Sequence, residues 1–255
     1  MVDSPVFDPY LIQGTTVLRN LAGIIDSAEF DAFESTSARL RMIEFFDSNP
    51  QVEPTLRGVR AIHYQLFQDV YDWAGQLRTI NMGKGESLFL PLEFFSNGIE
   101  YFERTLKEDH YLQGLNRVQF IERLAMNFDN LNVLHPFREG NGRTQRLFWS
   151  VIARDAGWDI QWPQISAQEN IDASVQALLH VNYQPLMALF DRCVSPLDRY
   201  SLVFSMLNHQ PILDSGKQYA TEISEDIRQR HSSRYIASSN SQSHRPTRRR
   251  KSRGR

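Results

Sequence analysis

The stretch His135-Pro136-Phe137-Arg138-Glu139-Gly140-Asn141-Gly142-Arg143-Thr144-Gln145-Arg146 decides how the rest of this 255-residue chain is read. His135 can take up a proton near neutral pH, as activation of a serine, threonine or tyrosine hydroxyl requires. Pro136 disfavours helix at the residue before it, which puts the histidine in a loop. Phe137 reads as a core anchor that aims the loop. Glu139 is a hard oxygen ligand suited to Mg²⁺, an ion usually held by one or two carboxylates plus substrate phosphates. Gly140-Asn141-Gly142 lets backbone N–H groups approach an anion closely, and a helix starting behind it adds a favourable dipole. Arg143 and Arg146, three apart, share one face near the first turn of that helix, where they can pair with phosphate oxygens. Taken singly, the histidine reads as structural, the glycines as a turn and the arginines as a solvated face. Together they describe a site that holds a nucleoside triphosphate with its metal while a neighbouring hydroxyl is deprotonated.

Outward from this run the chain reads as mostly helical. Phe30, Phe33, Leu40, Ile43 and Phe46 predict one or two amphipathic helices over about 27–46. Pro54 opens a second, in which Leu56, Val59, Ile62, Leu66, Val70 and Trp73 recur at three and four residues before a stop at Gly75. Thr79-Ile80 and Leu88-Phe89-Leu90 flank Gly83-Lys84-Gly85 and predict a short β-hairpin. Helical spacing resumes at about 94–106 and 118–128, and after the motif at 147–156, ending near Gly157. Further helices are expected over about 166–179, from Tyr183 to about Cys193, and peripherally over 198–208.

With 41% hydrophobic residues the chain can bury one sizeable core. No apolar run approaches the length of a membrane span, and the N-terminus lacks a basic-then-apolar leader. The single cysteine, Cys193, excludes an internal disulfide and fits a reducing cytosol, and its apolar surroundings read as a buried structural thiol. Charge is divided unevenly. Residues 1–227 hold all 30 acidic and 18 basic residues, a net −12, whereas residues 228–255 hold 10 basic ones. An acidic body does not look like a dedicated nucleic-acid binder. The last two dozen residues, rich in Ser and then Arg, have too little apolar surface to fold, so disorder is expected there.

The central run matches the signature of the Fic family, His-x-Phe-x-Asp/Glu-Gly-Asn-Gly-Arg-x-x-Arg, at every fixed position. Asp8-Pro9-Tyr10-Leu11 with Gly14 and Leu18, Ile62-His63 with Leu66, Asp72-Trp73-Ala74-Gly75-Gln76-Leu77-Arg78, Phe120 to Ala125 and Leu131 to Leu134 resemble its toxin-like branch, over roughly residues 8–195. The resemblance implies an all-α fold, a Fic-domain helical bundle with a small β-hairpin flap. It divides the chain into an N-terminal helical extension (1–50), a Fic core (51–195), a peripheral helical segment (196–231) and a disordered basic tail (232–255). It further implies transfer of AMP from ATP to a protein hydroxyl with release of pyrophosphate, with Mg²⁺ as the metal. Carried over by position, His135 is the general base and Glu139 holds the Mg²⁺. Gly140, Asn141 and Gly142 form the anion hole, Arg143 contacts the phosphates, and Arg146 orients the γ-phosphate. Thr144 and Gln145 complete the ATP-binding run. Lys84 and Gly85 stand at the tip of the flap, which clamps the target by strand addition and borders the nucleotide.

The same branch implies a cytoplasmic toxin acting on the ATPase domains of DNA gyrase or topoisomerase IV, either restrained by a separate antitoxin protein or unrestrained. The restraining pattern Ser/Thr-x-x-x-Glu-Gly/Asn is absent from the chain, and the nearest loose match is Thr221 to Glu225. For the basic tail the readings are a solubilising terminus, a secretion signal of an effector, or nucleic-acid contact. Rival activities on the same scaffold are transfer of UMP, phosphate or phosphocholine. A silent Fic-fold binding module is a third reading, against which stand the intact His135, Glu139, Arg143 and Arg146. Kinase-like relatives replace a motif glycine with lysine, whereas Gly142 is intact.

Overall fold

The computed structural model describes residues 8–84 and 87–197, with backbone alone at Lys84, Ser87 and Leu88. Gly85, the helix expected over 198–208, the Thr221–Glu225 match and the basic tail lie outside the described residues. Seven helices carry the described fold: α1 (Ser27–Asp47), α2 (Leu56–Phe67), α3 (Phe95–Glu108), α4 (Arg117–Leu134), α5 (Asn141–Asp155), α6 (Ala167–His180) and α7 (Gln184–Cys193). Two antiparallel pairs accompany them: β1 (Gly83–Lys84) with β2 (Ser87–Leu88), and β3 (Trp158–Ile160) with β4 (Val194–Pro196). No helix among the described residues is long and apolar enough to cross a membrane.

α4 is the spine. Asn116 caps it by accepting from the Gln119 N–H while the Gln119 side chain returns to the Asn116 N–H, so two otherwise orphaned donors are satisfied. Phe120, Leu124, Phe128 and Leu131 are all buried, and α3, α5, α6 and α7 pack against this helix. Each such side chain, taken fully out of water, contributes roughly 1.5–3 kcal/mol. Phe102, Phe148, Trp149 and Phe190 close the core around it. Cys193 is buried as expected, and burial pushes its thiol up to about 12, which makes it inert.

Four expectations are corrected. The first helix is a single 21-residue element, but its buried stripe is Phe30, Glu34, Ala38, Met42 and Phe45, whereas Leu40 and Ile43 are exposed. α2 ends at Phe67 rather than near Gly75, and Val70 bonds back three residues to the Phe67 carbonyl in the turn that follows. Gly75, at φ 74°, lies in the turns beyond. The hairpin is narrower than predicted: Gly83 pairs with Leu88, so Gly83 and Lys84 are strand residues, while Thr79 and Ile80 precede the ladder. The β3–β4 pair was not anticipated. It seams the exit of α5 to the exit of α7, and its three-residue strands are too short to show alternation.

Candidate active site

α4 ends at Leu134, and His135 leaves it in the left-handed conformation, φ 42° and ψ 63°. A helix ending in this way is common, but a non-glycine residue at the turn is not. Pro136 follows at once, so the helix cannot resume. The loop is then closed by Asn141, whose side chain accepts from the Phe137 N–H at 2.9 Å and donates to the Phe137 carbonyl at 2.7 Å. Phe137 is fully buried, as its anchor role required. Gly140, at φ 79°, caps α5 with no room for a larger residue: an added Cβ would lie 2.4 Å from Phe67 Cε2.

α5 begins at Asn141, inside the glycine-rich run. The first intrahelical bond is Thr144 N–H to the Gly140 carbonyl, at 3.0 Å. The N–H groups of Asn141, Gly142 and Arg143 therefore precede the ladder, at the positive end of the helix dipole. Arg146 lies beside them, since a Cβ on Gly142 would meet its Nη2 at 3.5 Å. Burial, with Arg143 nearby, lowers the Arg146 pKa to about 10. Among the described residues no carboxylate is in ion-pair reach of it. A half-buried cation beside a helix N-terminus favours an anion between them.

Arg143 is differently placed. It donates to both oxygens of Glu34 at 2.7 and 2.5 Å, lies 3.5 Å from Glu139, and stacks 4.7 Å over the Phe67 ring. Burial opposes its charge, but the contact with Glu34 more than reverses this and raises its pKa. The Tyr71 hydroxyl also faces Glu34, at 3.4 Å. Glu139 is a quarter exposed, and its Oε1 accepts from the Gly140 N–H at 2.8 Å. Its Oε2 has no partner among the described residues.

The imidazole of His135 is half-buried and stacks on Phe89, with centroids 3.6 Å apart and planes at 8°. Beneath the loop, His63 is fully buried between Gly75 N–H, which donates to Nδ1 at 2.8 Å, and the Glu139 carbonyl, 3.0 Å from Nε2. That pairing defines a neutral imidazole with the proton on Nε2. Burial lowers its pKa to about 3. Arg138 is held by Asp8 at 2.9 Å, and the Tyr10 hydroxyl accepts from the Thr79 N–H at 3.0 Å, so the N-terminal segment braces the loop and the hairpin stem.

The structure thus brings His135, Glu139, Gly140, Asn141, Gly142, Arg143 and Arg146 to one junction. Thr144 and Gln145 turn into the core, 1% and 7% exposed. Gly85 lies outside the described residues, and Lys84 is described only as the strand partner of Ser87. Glu34 escaped the sequence reading, although a carboxylate at helical spacing between Phe30 and Ala38 was its signal. Phe89, read only as a strand residue, gave none.

A family model described as the Fic/DOC family matches residues 53–153. A Salmonella typhimurium protein named probable protein adenylyltransferase Fic is 35% identical over 193 residues, 74% of this chain and 92% of that protein. The protein adenylyltransferase VbhT of Bartonella schoenbuchensis is 36% identical over 170 residues, 67% of this chain and 36% of that longer protein. Among solved structures, the BepC protein of Bartonella tribocorum, described as a VirB-translocated effector with bound AMPPNP, superposes with a TM-score of 0.69. It is 26% identical, covering 74% of this chain and 97% of that one.

Proposed function

We infer that this chain, which belongs to the Fic/DOC family, is a protein adenylyltransferase that moves AMP from ATP to a hydroxyl of a target protein. One observation carries the reading: α4 ends on His135 and α5 begins within Gly140-Asn141-Gly142, with only the loop from His135 to Gly140 between them, which is the placement a base beside an anion site needs. The triphosphate lies at the start of α5, where three backbone N–H groups and Arg146 meet its oxygens. A serine, threonine or tyrosine oxygen attacks the α-phosphorus. The new O–P bond forms as the bond to the bridging oxygen of the β-phosphate breaks, pyrophosphate leaves, and the imidazole of His135 takes the hydroxyl proton. Charge developing on the phosphates is met by groups already in position, which is where such sites gain most of their rate.

The residues fit Mg²⁺ as a companion of the nucleotide. Among the described residues no group of three or more histidines, cysteines or carboxylates could hold a metal alone. Glu139 offers one accessible carboxylate, and phosphate oxygens would complete the set, as Mg²⁺ prefers. When bound, the ion would neutralise and orient the phosphates. For partners we propose DNA gyrase or topoisomerase IV subunits as targets and a separate small protein as restraint, acting in the cytoplasm. The basic tail, if it serves secretion, would make the chain an effector.

Intact-mass analysis and peptide mapping of a bacterial lysate incubated with the protein, ATP and Mg²⁺ tests the reading. One adenylyl group on a serine, threonine or tyrosine is expected. A phosphoryl increment, or no modified protein, would contradict it.

A further inference from the structure

Arg78 lies between the Trp73–Gly75 turns and the hairpin, and it is 2% exposed. Its Nε donates to the carbonyl of His135 at 2.8 Å, Nη1 to Ile80 at 2.7 Å, and Nη2 to Leu90 at 2.6 Å and Leu134 at 3.4 Å. Its own backbone N–H donates to the Pro136 carbonyl at 2.8 Å. The guanidinium packs 4.6 Å over Phe95, with no carboxylate in ion-pair reach among the described residues. Leu90 reciprocates, its N–H bonding the Val133 carbonyl at 2.9 Å. Ile80 and Leu90 are the two stems of the hairpin, so one side chain ties both stems to the end of α4 and to the base itself. Phe89, next to Leu90, lies flat on the His135 ring.

A cation buried without a counter-charge is a costly way to fill space, and an apolar residue would do so more cheaply. What a guanidinium adds is a rigid planar fork that fixes several carbonyls relative to one another. The backbone it grips is the left-handed His135, a conformation an L residue holds only when its surroundings enforce it.

We propose that Arg78 is a positioning residue for the transfer reaction: it locks the backbone of His135 to the hairpin stems, while Phe89 sets the plane of the imidazole. The consequence is that the hairpin stems at Ile80 and Leu90 and the base are held as one unit. A hydroxyl presented along the hairpin then meets an imidazole already aligned with it. Neither side chain bonds to the start of α5: the Arg78 guanidinium reaches the carbonyls of His135, Ile80, Leu90 and Leu134, and Phe89 the His135 ring. This rests on the reading of His135 as the base.

Arg78→Lys keeps the charge but loses the fork, and Phe89→Leu keeps an apolar cover but loses the flat ring. For both, ATP affinity of the purified protein should stay within about twofold, while kcat for adenylyl transfer falls on the order of 10–100-fold, as small misplacements of a reacting group do. Thermal unfolding of each variant shows whether it folds, and should Arg78→Lys not fold, Phe89→Leu carries the test. A folded variant with wild-type kcat, or one whose ATP affinity falls in step with kcat, overturns the inference alone. Absence of adenylylated product with wild-type protein overturns the proposed function and this inference with it.

Discussion

Glu34 and Arg143 meet as a bidentate pair in which both side chains are largely buried, 7% and 13% exposed. Removing one partner of such a pair leaves an uncompensated charge, which costs about 3–5 kcal/mol. Glu34→Ala should therefore lower unfolding free energy in urea by about 3 kcal/mol, and Glu34→Gln by roughly half that. A loss below about 0.5 kcal/mol would class the pair with surface contacts and contradict this account. Two other buried groups pull stability in opposite directions with pH. His63 has its folded pKa lowered to about 3 by burial, so the unfolded chain binds a proton that the fold refuses. Its contribution is whole above an unfolded pKa of ~6.5 and drains away towards pH 3, by about 1.4 kcal/mol per unit. Asp129 has its carboxyl raised to about 7 by burial, so its contribution is present below an unfolded ~3.9 and is lost as pH rises through 7. Between about pH 4 and 6.5 the two slopes oppose each other. Asp129→Asn should steepen the loss on acidification in that window by about 1.4 kcal/mol per unit, and add at least about 1 kcal/mol at pH 8. Denaturant titrations at several pH values check this, and a variant curve parallel to wild type would refute it.

α1 shows what could be read of an element and what could not. Its extent was legible from the helical spacing between Phe30 and Phe46, although the gap from Phe33 to Leu40 left open whether one helix or two filled it. Its face was not, because a stripe chosen by hydrophobicity omits Glu34, which the fold buries to meet a cation 109 residues away. The same limit explains α2, where Val70 and Trp73 keep helical spacing beyond Phe67 although the chain has already turned. α5 was legible down to its start inside the glycine-rich run, since glycines before a helical pattern carry their own geometry. That start is also where a backbone substitution should tell most. Gly140→Ala adds a left-handed strain to a clash 2.4 Å from Phe67, so a loss of about 2–4 kcal/mol is expected, with transfer abolished. Gly114→Ala, at φ 72° with open space around it, should cost only about 1 kcal/mol and leave activity intact. Equal effects of the two on unfolding midpoints would mean that the Phe67 contact does not constrain the loop.

For the molecule as a whole, the central observation is convergence. Asp8 grips Arg138, α1 supplies Glu34, α2 supplies His63 and Phe67, and the hairpin region supplies Arg78 and Phe89, all onto one loop and one helix start. The signature run announced the chemistry because its residues must be contiguous to work. The support could not be read in the same way, since it is assembled from distant segments whose meeting only the fold specifies. If that convergence serves AMP transfer, label supplied in the α-phosphate of ATP must reach a protein hydroxyl, and label in the γ-phosphate must not. Parallel incubations of wild-type protein and His135→Ala with each labelled ATP, Mg²⁺ and bacterial lysate measure this directly. The account predicts protein-bound α-label that His135→Ala loses. Protein-bound γ-label, or α-label undiminished in His135→Ala, would contradict it.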